Sequence, residues 1–285
     1  MAVTAAGRRL TSDFRRGQLA IRSRLLRRVL DLWPQLDVRR LDATAPEWQR
    51  AMVAAVMASR MESARAAATY YEQLRAVELP DAAPLRSRWL DENTASITAK
   101  LTPIVETSLA VTGPVNLKRR TKRFVDETTS TTIASATSTA TLERAIDKAS
   151  SQALVDVSGA AARHALDGGR QLLREEGAQD ELAVAFARVS DGDPCYFCAL
   201  MISRGFVYRS RASAGRSANS RFTGPGLYKF HDHDACTVEP VFHRDAPLDD
   251  AAERYDRIYR DASAEAAQTG KPVLAVFRQR YENRT

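Results

Sequence analysis

All three cysteines of this 285-residue chain, and two of its four histidines, fall between Cys195 and Cys236. DPCYFC places Cys195 and Cys198 at C-x-x-C spacing, and FHDHDAC adds His231, His233 and Cys236. Three cysteines cannot make a fully paired disulfide framework, and in a reducing compartment a C-x-x-C pair reads first as metal-binding or redox-active. Zinc is usually held tetrahedrally by four nitrogen, sulfur or carboxylate ligands, and one tight turn with two thiolates supplies half of such a site. The candidate zinc ligands are therefore Cys195, Cys198 and Cys236 with His231 or His233, and Asp232 or Asp234 is a weaker candidate for the same place. A closed set of four ligands would clamp this region and leave no position for activating water.

Other chemistries fit the same residues less well. P-C-x-x-C is half of the nucleobase-deaminase signature, but that reaction needs an upstream H-x-E, and the only upstream histidine is His164, in HALD. A thioredoxin-like pair at a helix start after a strand is locally possible, yet it leaves Cys236 and the histidines unexplained. H-E-x-x-H is absent, and no nucleophile motif accompanies the histidines, so the catalytic residues of any hydrolase are unknown from sequence.

Between the clusters, Arg204, Arg209, Arg211, Arg216, Arg221 and Lys229 occur without an acid and are interleaved with aromatics, a composition that can grip phosphates and stack bases or form a solvated loop over packed rings. The whole chain carries a net charge of +7, which suits anionic partners without identifying them. Its 44% hydrophobic and 27% charged residues are a globular composition. No apolar run approaches the roughly 20 residues that cross a bilayer, and the N-terminus lacks the order of a signal peptide, so the expectation is a protein made and kept in a cytoplasm, with no membrane partner.

Apolar residues recur at helical spacing from Asp13 to about Val77, with a break at Trp33-Pro34 and a helix start at Asp42 to Pro46 in which Thr44 caps and Pro46 occupies the first turn. LPDAAPLR is a connector, and helical patterning resumes from Arg86 to Ser158 through a Ser/Thr/Ala-rich centre. Gly168-Gly169 reads as a break between two helices. Val184 to Val189 fits a short strand feeding the turn Asp191 to Pro194, Ser203 to Phe230 an extended loop or hairpin, and Asp249 to about Thr269 a late helix before a short amphipathic end.

DGDPCYFCALMISRGFVY, the Gly- and Arg-rich loop and KFHDHDACTVEPVF resemble the C-terminal region of MuF-like minor head proteins of tailed bacteriophages, where a C-x-x-C segment precedes a His- and Cys-bearing knuckle and a short strand. The similarity is closest to actinobacterial phage and prophage forms, whose helical N-terminal half carries stretches like LDATAPEW and VTGPVNLKR, and its specific motifs lie between about Val184 and Phe242. Such knuckles often read His-x-His-Cys-x-Cys, and Asp234 stands here in place of the first of those cysteines, which favours His231 or His233 beside Cys236.

The resemblance implies a mainly α chain: a helical N-terminal region over 1–158, then a small α+β, Cys/His-stapled MuF-like module over 159–285. It implies a virion protein assembled in the bacterial cytoplasm, acting in head morphogenesis near the portal. Portal, scaffold and major capsid proteins would be its partners, and DNA a further one. Some relatives are labelled capsid maturation proteases, so cleavage of scaffold or head protein is the enzymatic alternative, and a zinc-stapled DNA-contacting protein is the third.

Overall fold

The computed structural model describes residues 1–131, 139–206, 230, 232 and 234–283. The architecture is mainly α, with one two-stranded antiparallel sheet near the C-terminus among the described residues. Helix α1, Ala5–Leu32, begins where the Thr4 side chain accepts a hydrogen bond from the Gly7 amide at 2.9 Å, satisfying one of the free donors of the first turn. Its buried stripe, from Phe14 through Ile21 and Leu25 to Val29, keeps helical spacing, while Arg16, Arg24, Arg27 and Arg28 face solvent. A 3-10 turn at Trp33–Gln35 ends it at the expected Trp-Pro break.

Helix α2, Leu41–Glu78, starts earlier than the capping pattern indicates. Thr44 lies inside it, its hydroxyl donating back to the Arg40 carbonyl at 3.1 Å, so Pro46 falls in the second turn and not the first. Helices α3, Trp89–Ala110, and α4, Asn116–Thr131, run on through a π turn at Val111–Val115. Pro114 has no amide to complete an α-helical bond and its ring crowds the preceding turn, and the wider π turn absorbs both effects. Gly113 in that turn lies against the Trp48 indole, where a side chain would collide with the ring.

Helix α5, Thr139–Gln179, passes through residue 158 and through Gly168-Gly169 without interruption. The glycine pair is not a helix break: it is where α5 meets α2 closely enough for backbone to touch backbone. A Cβ on Gly168 would fall within 3.0 Å of the Arg60 carbonyl carbon and collide with its oxygen, and one on Gly169 would reach 3.0 Å from the Ser63 carbonyl oxygen. The Gly169 amide instead donates to the Ser63 hydroxyl at 3.0 Å. Gly168→Ala is therefore expected to destabilise the protein by about 1–3 kcal/mol, although alanine is the better helix former by about 1 kcal/mol. A urea midpoint equal to or above that of the parent would show that α2 and α5 can separate at no cost.

Beyond α5 the chain forms β1, Ala185–Val189, helix α6, Tyr196–Ile202, β2, Thr237–Val241, and helices α7, Asp250–Thr269, and α8, Val273–Glu282. The strands pair antiparallel from Ala185 opposite Val241 to Val189 opposite Thr237, and every residue of both is buried. Pro240 is tolerated because each strand of a two-stranded sheet has an unpaired edge. Alternation sends Phe186 and Arg188 to the α5 side, where the Phe186 ring packs on Gly177, and Glu239 to the other, where it accepts from the Ala2 amide at 2.5 Å. Asp249 caps α7 by accepting from the Ala252 amide at 2.7 Å, and Gly270 ends it at φ +69°, a left-handed conformation that glycine adopts without strain. The sheet and α6–α8 share one apolar core around Phe186, Ile202, Tyr255 and Phe277, and two more, one around Trp48, Met52 and Leu109 and one around Phe14, Tyr71 and Leu172, fill the helical half.

Candidate metal centre

Three elements converge on the cysteines: the second half of α5, strand β1 with α6, and the segment leading into β2. Cys195 caps α6, its sulfur accepting from the Cys198 amide at 3.5 Å, and is exposed, whereas Cys198 and Cys236 are buried. The Cys198 and Cys236 sulfurs and an Asp234 carboxylate oxygen lie within 4.8 Å of one another. The Cys198 thiol donates to Asp234 Oδ2 at 2.8 Å, and Asp234 Oδ1 accepts from the Cys236 amide at 2.8 Å, which fixes the plane of the carboxylate.

Two buried arginines surround this group. Arg188 places Nη1 3.2 Å from Cys198 Sγ and 3.7 Å from Asp234 Oδ2. Arg170 donates to the Cys236 carbonyl from Nε at 2.9 Å and to the Asp234 carbonyl from Nη2 at 2.7 Å, and it meets Asp167 through Nη1 at 3.0 Å. Their guanidinium groups stack against the Phe230 ring, 3.7 Å (Arg170) and 3.9 Å (Arg188) from its centroid. At the rim, Arg163 Nε donates to Asp232 at 2.7 Å.

Hydrogen bonds shared with Cys195 and Cys236, then burial, push the Cys198 thiol far up. Cys236 is also raised: the hydrogen bond with Cys198 lowers it, but burial and the charges of Asp234 and Asp191 outweigh that. Burial works against Asp167 as an anion, yet Arg170, Arg60 and Arg163 together hold its carboxyl below the usual range. A metal ion at this place would reverse the balance for the thiols, since a coordinated thiolate no longer needs its proton.

The residues fit a metal by donor type and spacing: two sulfurs and a carboxylate oxygen in one group, with the Cys195 sulfur next to it, accepting from the Cys198 amide. Of the ligands expected from sequence, Cys198 and Cys236 come together and Cys195 adjoins them. His231 and His233 lie outside the described residues, as do Arg209, Arg211, Arg216, Arg221 and Lys229. Arg204 is exposed just after α6, and Asp232 is occupied at the rim by Arg163. Asp234, the weaker candidate by residue type, is the carboxylate inside the cluster. Arg170 and Arg188 escaped the sequence reading, and the available signal for Arg188 was an arginine at an inward position of the apolar run AFARV; Phe230, one of the aromatics interleaved with the basic loop residues, packs against those two arginines.

A helical chain with a thiol–carboxylate group built into its interior is thus the class that fold and site define. Residues 115–262, which span α4, α5, the sheet and the whole cluster, match the family described as VG15 protein. The chain belongs to this family and is a phage protein. No curated protein and no solved structure matches it. No described helix is long and apolar enough to cross a membrane.

Proposed function

We propose that this phage protein is a MuF-like minor head protein that acts in head assembly near the portal, and that its cysteine cluster is a structural zinc clamp. On this reading the helical part up to residue 158 contacts portal, scaffold and major capsid proteins. Residues 159–285 carry the clamp, and the protein resides in the virion after assembly in the bacterial cytoplasm. The observation that carries the reading is the burial of the cluster: Cys198, Asp234 and Cys236 are interior, and Arg170 and Arg188 tie them to α5 and β1. That geometry joins elements together, as a structural site does, where a catalytic site presents a reacting group to substrate. Membership of a phage family supports the setting.

Two measurements test it. Reduced, purified protein should contain about one equivalent of zinc, lost in Cys198→Ser. Particles assembled with and without the chain should contain major head protein of the same intact mass, with the chain present in the former. A head protein shortened only when the chain is supplied would establish the capsid maturation protease instead, and absence of zinc would remove the clamp.

A further inference from the structure

We propose that Asp234, and not a histidine, completes the ligand set with Cys195, Cys198 and Cys236, and that Arg188 is a positioning residue for it; this rests on the zinc clamp proposed above. Zinc bonds of about 2.0–2.3 Å place tetrahedral ligand atoms roughly 3.3–3.8 Å apart. The Cys198, Asp234 and Cys236 donor atoms already lie within 4.8 Å of one another, so closing these three onto an ion needs only small rotations, and exposed Cys195, outside that group, adjoins it at the start of α6, its sulfur accepting from the Cys198 amide at 3.5 Å.

The carboxylate is also aimed. Oδ1 is held by the Cys236 amide, and Oδ2 is left facing the Cys198 sulfur at 2.8 Å. When Cys198 binds a metal it gives up the proton that makes this contact favourable. Thiolate and carboxylate would then touch in a place where the Asp234 side chain is only 4% exposed. A cation between them removes the repulsion, and that is coordination by both. A site completed by histidine would leave the carboxylate against a thiolate with only the Arg188 guanidinium beside the pair. Arg170 and Arg188 offset part of the negative charge that three thiolates and a carboxylate bring around a dication, while Asp167 faces Arg60 and Arg163 as well as Arg170, and Asp191 is a further anion near Cys236. Arg188 donates to the Cys198 sulfur and stands beside Oδ2, so it orients both ligands and withdraws electron density from the sulfur.

Zinc-edge X-ray absorption on the zinc-loaded full chain should show three sulfurs and one oxygen with no outer-shell imidazole scattering. Asp234→Asn should weaken zinc binding about 10–100-fold, while the double variant His231→Gln/His233→Gln binds as the parent does. Imidazole scattering in the parent, or zinc lost from the histidine variant and kept in Asp234→Asn, overturns the assignment. A parent that binds no zinc overturns the clamp itself. If Asp234→Asn fails to fold, the parent spectrum alone decides. In cobalt(II)-substituted protein, Arg188→Gln should move the sulfur-to-cobalt charge-transfer band to lower energy, a shift that loss of packing would not produce; an unmoved band removes Arg188 from the role.

Discussion

Arg170→Ala is expected to cost about 3–5 kcal/mol of stability, the largest loss of any substitution considered, because a buried charged partner is removed and its neighbours are left unsatisfied. The guanidinium is 1% exposed. Without it the carbonyls of Asp234 and Cys236 lose their donors, Asp167 loses its nearest cation, and one face of Phe230 opens to a void. Apart from Asp167, which is on α5 itself, these groups lie on the segment leading into β2, so hydrogen exchange in β2 should accelerate first and α1–α3 should respond less. Arg170→Met keeps much of the stem volume and should recover part of the packing loss while leaving the carbonyls unsatisfied. Urea unfolding followed by circular dichroism reads the difference. A loss below about 1 kcal/mol for Arg170→Ala would mean that water satisfies these carbonyls and that the arginine is not what holds the segment.

The reason this residue is invisible in the sequence is instructive. Arg170 sits in GGRQLLREEG, a charged run that local pattern assigns to a solvated helix face, and only the packing of the β2 approach against α5 turns it inward. The helices, by contrast, are legible because their apolar stripes repeat: α2, α7 and strand β1 lie close to where periodicity puts them, and α1 begins at Ala5, ahead of the run expected from Asp13. Gly168-Gly169 misleads for the opposite reason. Glycine lowers local helix propensity, but the cause of the pair is the nearby Arg60 and Ser63 backbone on another helix, a tertiary fact that no window of sequence contains. The start of α2 is misplaced because Thr44 and Pro46 form a good local start signal, while the chain begins the helix at the buried Leu41. At the site, spacing found the cysteines. Residue type ranked histidine above Asp234, and the contact with Cys198 is what distinguishes the carboxylate.

Acid stability should reveal two buried groups that oppose one another. His164 on α5 is held neutral, its pKa lowered to about 4 by burial and by Arg163, with Arg60 adding to this and Asp167 and Asp232 opposing. Unfolded, it would titrate near 6.5, so its contribution is complete above that pH and is lost as pH falls from about 6.5 to 4, a span worth about 3 kcal/mol. Glu239 on β2 runs the other way. Burial raises it to about 7, assisted by Asp249 and resisted by the N-terminal amine, the Ala2 amide and Thr11. The folded state keeps a proton that the unfolded carboxyl releases near 4.5, so its contribution is complete below that pH and is lost as pH rises from about 4.5 to 7, again about 3 kcal/mol. Between about pH 4.5 and 6.5 the two slopes largely cancel. Relative to the parent, His164→Gln should therefore gain stability as pH is lowered through this window, and Glu239→Gln should lose it. Unfolding free energies of the three proteins at pH 5 and pH 7 measure both slopes. Parallel profiles for either variant and the parent would show that the replaced group titrates alike in the folded and unfolded chain, and that water reaches it in the fold.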